Sequence, residues 1–290
     1  MISALLDLIR SARHCVAFTG AGVSALSGLP CFRDGGGTGG SLRESGDPAA
    51  VPPEIAAELR DLVRGFFGPG DDPPWEELFS LDFFEREAAA FYEKAGSFIY
   101  HDKEPSLVHR ALAGLENRGL VGVVITQNID MLHQKAGSRR VIELHGAPRI
   151  HYCPRCAGIR LGYQEAAAAV RAGTMPFCPQ CGRPLKPAIT LYGESLPLEA
   201  RREAEGEAQA ADLMLVLGTS LTVRPAADLP RTVLRRGGGL VIVNRQETPL
   251  DKNAVLRFWD LETVFAGLEN SLSQGAAGSG GFKNRASGQR

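Results

Sequence analysis

The sequence predicts an α/β fold: a doubly wound parallel sheet with one small inserted module. Three observations predict it. Five short runs, at 15–18, 121–125, 141–144, 213–217 and 240–243, are almost wholly apolar and rich in Val, Ile and Leu, as strands buried on both faces are. Helical stretches lie between them, and alternating strand and helix implies a parallel sheet. The rhythm then breaks between 151 and 187, where paired cysteines replace buried-strand patterning.

Taken in order, Ile2, Leu5, Leu6 and Ile9 recur at i, i+3, i+4, i+7, which makes residues 1–13 an amphipathic helix and not a leader peptide. The first strand follows at once. Residues 34–50 hold six glycines and two serines, the composition of a mobile loop that orders around a ligand. Residues 75–99, rich in Phe, Tyr, Ala and Glu, resume as helix. Further helices are expected at 106–117, behind Pro105, and at 198–211 and 225–236. Beyond 271 the chain is glycine-rich and poor in apolar residues, a disordered tail. The expected division is a discontinuous sheet domain at 1–147 and 188–270, a module at 148–187 and a tail at 271–290.

Composition excludes several classes of function. With Lys+Arg at 32, Asp+Glu at 33 and a net charge of -1, no global field draws the chain to nucleic acid or an anionic surface. No apolar run approaches the ~20 residues of a membrane span. Six cysteines in 290 residues are too few for a disulfide scaffold, so a cytoplasmic protein with no membrane or direct nucleic-acid partner is expected.

Cys153-x-x-Cys156 and Cys178-x-x-Cys181, separated by 21 residues, have the spacing of a four-thiolate zinc site. Four protein ligands leave no open coordination position, so the metal is expected to be structural. His151, beside the first pair, is read as a surface residue and not a ligand.

The second signal is Gly20-Ala21-Gly22-Val23-Ser24 after the first strand. A Gly-x-Gly there lets backbone approach a diphosphate and aims N–H groups at it, although Ala25 stands where the dinucleotide fingerprint has its third glycine. The other strands end in Gln127-Asn128-Ile129-Asp130, His145-Gly146, Gly218-Thr219-Ser220 and Asn244. In an open parallel sheet those ends border one crevice, so a Rossmann-like dinucleotide site is expected. His145, at a strand end and before a glycine, is the candidate general base. His14, His101 and His109 lack that setting, and His133 is placed behind the site as a hydrogen bonder.

Together these residues resemble the sirtuins, NAD-dependent protein deacylases. The likeness runs through Gly20–Ser24, Gly28-Leu29-Pro30-Cys31-Phe32-Arg33, Thr126–Asp130, Leu144-His145-Gly146, the four cysteines, Gly218-Thr219-Ser220-Leu221 and Val243-Asn244, in the family's order. By that resemblance Gly20, Ala21, Gly22, Ser24, Phe32 and Arg33 line the diphosphate and nicotinamide-ribose end of NAD, and Gln127 and Asn128 hold ribose hydroxyls. Ile129 and Asp130 take the carboxamide. Gly218, Thr219, Ser220, Asn244 and the stretch at Asp260 and Leu261 enclose the adenosine half. Tyr192-Gly193-Glu194 and Thr222-Val223-Arg224 resemble the two edges between which an acyl-lysine peptide adds as an extended strand.

The resemblance also implies the chemistry, in which His145 accepts a proton through the ribose hydroxyls and the acyl group passes to ADP-ribose. Asn128 and His145 together favour deacylation over protein ADP-ribosylation or NAD hydrolysis, because only acyl transfer needs that relay. Intact Gln127, Asn128, Asp130 and His145 argue against a scaffold with a dead cleft. The chain departs from the family at Cys31, where Asp is common, and in the added glycine-rich length after it. It also lacks the Tyr-x-x-Arg pair that binds acidic acyl groups, so uncharged acyl groups are expected.

Overall fold

The computed structural model describes residues 1–30 and 74–278. The glycine-rich segment at 34–50 and the motif residues Cys31, Phe32 and Arg33 lie outside them. Helix α1 (Ile2–Ser11) buries Leu5, Leu6 and Ile9 on the stripe that their spacing predicts. Strand β1 (Cys15–Thr19) is buried throughout and turns directly into the short helix α2 (Ala21–Ala25).

Where the sequence predicts one helix over 75–99, the structure has three: α3 (Trp75–Leu78), α4 (Leu81–Arg86) and α5 (Ala88–Ile99). The first break has a tertiary cause. Tyr192 donates its N–H to the Phe79 carbonyl at 2.8 Å and accepts from the Leu81 N–H at 2.9 Å, which draws Ser80 out of the helix. Ser80 then caps α4 through its hydroxyl, 3.1 Å from the Phe83 N–H. Helix α6 (Leu107–Asn117) opens on a capping box between Ser106 and His109, followed by β2 (Val123–Thr126), α7 (Leu132–Lys135) and β3 (Val141–Glu143).

The cysteine segment is more regular than its sequence suggests. Strands β4 (Gly146–Tyr152) and β5 (Arg160–Gly162), helix α8 (Tyr163–Arg171) and strand β6 (Lys186–Ile189) make a three-stranded antiparallel sheet in the order β5-β4-β6. Helix α9 (Leu198–Ala210) and strand β7 (Leu213–Leu217) return the chain to the main sheet. The helix expected over 225–236 divides into a 3₁₀ turn (Ala226–Asp228) and α10 (Leu229–Arg235). Strands β8 (Gly239–Val243) and β9 (Leu256–Phe258) then precede α11 (Leu261–Gly278), which carries helix past the predicted tail boundary at 271. Strand β9 is three residues long at the sheet edge, too short to register as a buried run.

The main sheet runs β3-β2-β1-β7-β8-β9 with every pairing parallel. Alternate strand residues feed opposite cores. Cys15, Ala17, Val124, Leu215 and Val241 face α1, α6 and α11, whereas Val16, Phe18, Ile125, Val216 and Ile242 face α9 and α10. Each fully buried Leu, Ile or Phe contributes about 1.5–3 kcal/mol. A third core, around Phe79, Phe91, Tyr92 and Phe98, packs α3, α4 and α5 against Ala166 and Ala167 of α8.

His151 corrects the sequence reading. It is fully buried, not on the surface, and its Nε2 lies 2.6 Å from the Tyr100 hydroxyl. Strand β4 turns it away from the cysteines and into the aromatic core. His109 and His133 are also fully enclosed, with ring centroids 4.5 Å apart. Burial pulls them down to about 2 and about 3 respectively, and His109 feels His133 in addition. Because the folded-state values lie below the unfolded 6.5, the unfolded chain binds protons first as pH falls. Stability should hold above pH 7 and fall below about 6.5, by up to ~1.4 kcal/mol per pH unit for each such histidine. Urea midpoints measured from pH 8 to pH 5 check this, and a flat profile would contradict it.

Candidate active site

The order of the main sheet places a topological switch point between β1 and β7, where the chain leaves in opposite directions and opens a crevice. The glycines there serve close packing. A Cβ on Gly20 would lie 2.7 Å from the Thr219 Cβ, and one on Gly22 would lie 2.8 Å from the Gly218 Cα. Gly218 itself has φ +61, in the left-handed region that glycine adopts without strain. The Gly20 N–H donates to the Leu217 carbonyl at 3.0 Å and the Gly22 N–H to the Gly218 carbonyl at 2.9 Å. The predicted aim of these N–H groups at a ligand is therefore corrected for both residues, whose donors are consumed in joining the β1 turn to the end of β7.

Asn128 donates through Nδ2 to the Gly20 carbonyl at 3.1 Å and to the Ser24 hydroxyl at 2.9 Å. With both amide hydrogens engaged, Oδ1 is left to accept from a ligand. Ser24 in turn donates to Asp130 Oδ2 at 2.6 Å, and Asp130 Oδ1 accepts the Leu132 N–H at 2.8 Å. That second bond is a local turn closed by an aspartate side chain, and it supports Met131 at φ 62. Burial raises the Asp130 carboxyl, opposed by the bonds from Ser24 and Leu132. Ser24 and Asp130 thus stand behind the crevice wall, and Asn128 and Ile129 form it.

His145 Nδ1 lies 2.5 Å from the Gln127 carbonyl. A carbonyl only accepts, so Nδ1 carries the proton and Nε2 keeps the lone pair, the tautomer a general base requires. Burial lowers the imidazole below its ordinary 6.5, with the Gln127 bond opposing the shift. Gln127 holds its amide against the Thr219 hydroxyl at 3.0 Å. The His145 carbonyl accepts the Thr190 N–H at 2.7 Å, tying the histidine to the opposite wall.

That wall, Ile189 to Glu194, lines the same cleft as Gly20, Ala21, Gly22, Gln127, Asn128, Ile129, His145, Gly218, Thr219, Ser220, Val223, Asn244 and Leu261. Glu194 turns inward. Its Oε2 accepts the Leu191 N–H at 2.8 Å and pairs with Lys186 Nζ at 2.8 Å. Lys186 is buried, and its ammonium also donates to the Ile189 carbonyl at 2.7 Å. Burial pulls Lys186 below the usual lysine value, and Glu194 counters this by favouring the charged form.

In the inserted sheet, the sulfurs of Cys153, Cys156, Cys178 and Cys181 all lie within 4.8 Å of one another. Cys153 Sγ also receives the Cys156 N–H at 3.2 Å. A tetrahedron of thiolates about 2.3 Å from a central ion fits that spacing, so the donor set and its size suit Zn²⁺. The set is complete without His151.

A sequence profile described as the Sir2 family matches residues 71–225. The chain is 39% identical over 255 residues to an NAD-dependent protein deacetylase of Thermotoga maritima, covering 87% of this chain and 90% of that protein.

The chain belongs to the Sir2 family.

Among solved sirtuins, Sir2Tm bound to a propionylated peptide superposes with a TM-score of 0.74 at 35% identity, covering 95% of this chain and 98% of that one. Sir2 with a p53 peptide and NAD+ also gives 0.74, at 36% identity over 96% and 99% of the two chains.

In this sirtuin the sequence-predicted residues that can be located converge, apart from Ser24 and Asp130 just behind the wall; Phe32 and Arg33 are outside the described residues. Sequence reasoning missed Phe79, Ile189, Thr190 and Leu191, which line the cleft, and Lys186 beneath it. Only Lys186 left a signal, as a lone charge between Leu185 and Pro187. Lys186→Met strands the Glu194 carboxylate. Because Glu194 keeps some solvent contact, the cost should be about 3 kcal/mol, the low end for breaking a buried pair. Lys186→Arg should recover part of it, and paired melting curves check both. For His145, the acid limb of kcat/KM should lie below pH 6.5, since a depressed imidazole stays neutral to lower pH; a pH–rate profile checks this.

Proposed function

We infer that this sirtuin is an NAD-dependent protein-lysine deacylase. It releases nicotinamide from NAD and transfers the acyl group of an acyl-lysine to ADP-ribose. The observation that carries the reading is His145, whose protonated Nδ1 and free Nε2 stand in one cleft with the dinucleotide motifs and the peptide edges. The homologous deacetylase and the sirtuin complexes with propionylated peptide and with NAD+ support the same conclusion.

Bound NAD supplies the electrophilic ribose carbon and the acceptor for the acyl group. The residues of this chain do the rest. Gly20, Ala21 and Gly22, with Phe32 and Arg33 from the motif, hold the diphosphate and nicotinamide-ribose end. Gln127 and Asn128 present amide oxygens to ribose hydroxyls, and Ile129 flanks the carboxamide. Ser24 and Asp130 act one layer back by fixing Asn128 and the 130–132 turn. Gly218, Thr219, Ser220, Asn244 and Leu261 enclose the adenosine half. His145 Nε2 takes a proton from the ribose hydroxyls, while Phe79, Ile189 and Leu191 keep that face dry.

The acyl-lysine segment lies extended between the Gly193–Glu194 edge and Val223. Both edges line the cleft; the Tyr192 N–H and carbonyl are already paired with Phe79 and Leu81 and the Glu194 N–H with the Leu191 carbonyl, which leaves the Gly193 backbone and the Glu194 carbonyl for the substrate. Tyr192 and the Lys186-bound Glu194 position that edge. Zinc bound by Cys153, Cys156, Cys178 and Cys181 is structural, because four thiolates complete its coordination.

The presence of two separate sheets supports a division into a sheet domain at 1–147 and 188–270 and a module at 148–187, although β4 and β6 each cross those bounds by two residues. A cytoplasmic location is consistent with free cysteines among the described residues. None of the described helices is long and apolar enough to cross a membrane.

The deciding experiment incubates the protein with NAD and an acetyl-lysine peptide, beside a control lacking peptide. Mass spectrometry follows nicotinamide, peptide and acyl-ADP-ribose together. Peptide-dependent nicotinamide release matched by acyl-ADP-ribose is expected, and His145→Ala should abolish it with zinc content unchanged. Nicotinamide release that ignores the peptide would replace this reading with NAD hydrolysis or ADP-ribosyl transfer.

A further inference from the structure

Trp259 follows β9 directly and borders the cleft beside Asn244, Arg245 and Gln246. It is 53% exposed, in contrast to the buried aromatics of the helical cluster. An exposed tryptophan alone needs no explanation, but this one is held in place. The Arg257 guanidinium lies 3.8 Å from its ring centroid, within the range of a cation–π contact. Arg257 is itself anchored, pairing with Asp251 at 3.0 Å and donating to the Gln246 carbonyl at 2.8 Å. Asp251 accepts from the Thr248 hydroxyl at 2.6 Å. One ring face is thus backed by a fixed cation, and the remaining surface borders the cleft.

The location selects the ligand. His145 and Ile129 stand on the β1–β3 side of the switch point, whereas Trp259 and Asn244 stand at the carboxyl ends of β8 and β9. In a doubly wound sheet a dinucleotide spans the switch point with one nucleoside on each half. The Asn244 N–H bonds the Phe258 carbonyl at 3.1 Å, which fixes the spacing between the two loops on this side. An immobilised indole at such a site offers a flat face to a purine.

We propose that Trp259 stacks on the adenine base of NAD, with Arg257 as the rear support that holds the ring in register. The proposal rests on the NAD reading above and adds a recognition residue to it. Trp259 stands with Asn244 at the β8 and β9 ends, on the other half of the sheet from His145 and Ile129, so its effect is expected in dinucleotide affinity.

The test is binding of ADP-ribose to the full chain, followed by calorimetry and by tryptophan emission. The chain has two tryptophans, and Trp75 is buried at 5% exposure, so ligand-dependent quenching reports chiefly on Trp259. In Trp259→Ala the dissociation constant for ADP-ribose should rise roughly ten-fold, about 1.4 kcal/mol and within the range of base–aromatic stacking. The KM for NAD should rise equally, with kcat, the acyl-peptide KM and the melting temperature unchanged. Trp259→Phe should restore most of the affinity. Equal ADP-ribose affinity in wild type and Trp259→Ala overturns the stacking proposal and leaves the deacylase reading standing. Failure of the wild type to bind ADP-ribose removes both.

Discussion

The site depends on one close approach, that of the β1 turn to the end of β7. Side chains at Gly20, Gly22 or Gly218 would occupy space already held by backbone, at 2.7 to 2.8 Å. Hydrogen bonds from Gly20 and Gly22 lock the two strand ends together. This contact brings Thr219 within reach of Gln127 and places Asn128 against the Gly20 carbonyl. The glycines therefore act first on the protein itself, bringing two strand ends close enough for one ligand to touch both.

The state of His145 follows from that arrangement. Its tautomer is set by the Gln127 carbonyl, and Gln127 is oriented by the Thr219 hydroxyl at the β7 end. The other side of the histidine is tied through its carbonyl to Thr190, within the wall that bears Ile189 and Leu191. Burial keeps the imidazole neutral and the bond to Gln127 keeps its free nitrogen available. Neither would hold for a histidine at the end of an isolated strand.

The inserted sheet is coupled to this wall. Strand β6 carries Lys186 immediately behind the cysteine cluster, and Lys186 grips Glu194 at the far end of the wall. Helix α8, from the same insertion, packs Ala166 and Ala167 into the aromatic core around Phe91 and Tyr92. Tyr192 is in turn paired with the chain on both sides of Ser80. The module thus acts as a buttress: metal in the cysteine cluster would stabilise it, and its strands and helix carry that rigidity to the cleft wall at Ile189 to Glu194.

Local pattern alone determined much of this protein. Buried parallel strands show themselves as continuous apolar runs, α1 as a helical stripe, and the metal site as paired cysteines, because each depends on neighbours close in the chain. The cleft was legible as strand-end motifs, since the fold class itself requires those ends to meet. Three-dimensional packing decided the rest. The first break in the helix expected over 75–99 comes from Tyr192, more than a hundred residues away. The inward turn of Glu194 needs Lys186, and the enclosure of His151 needs Tyr100. Ser24 and Asp130 sit behind the wall because they bond each other across 106 positions. Such pairings cannot be read from spacing, because the distance that creates them exists only once the sheet has formed.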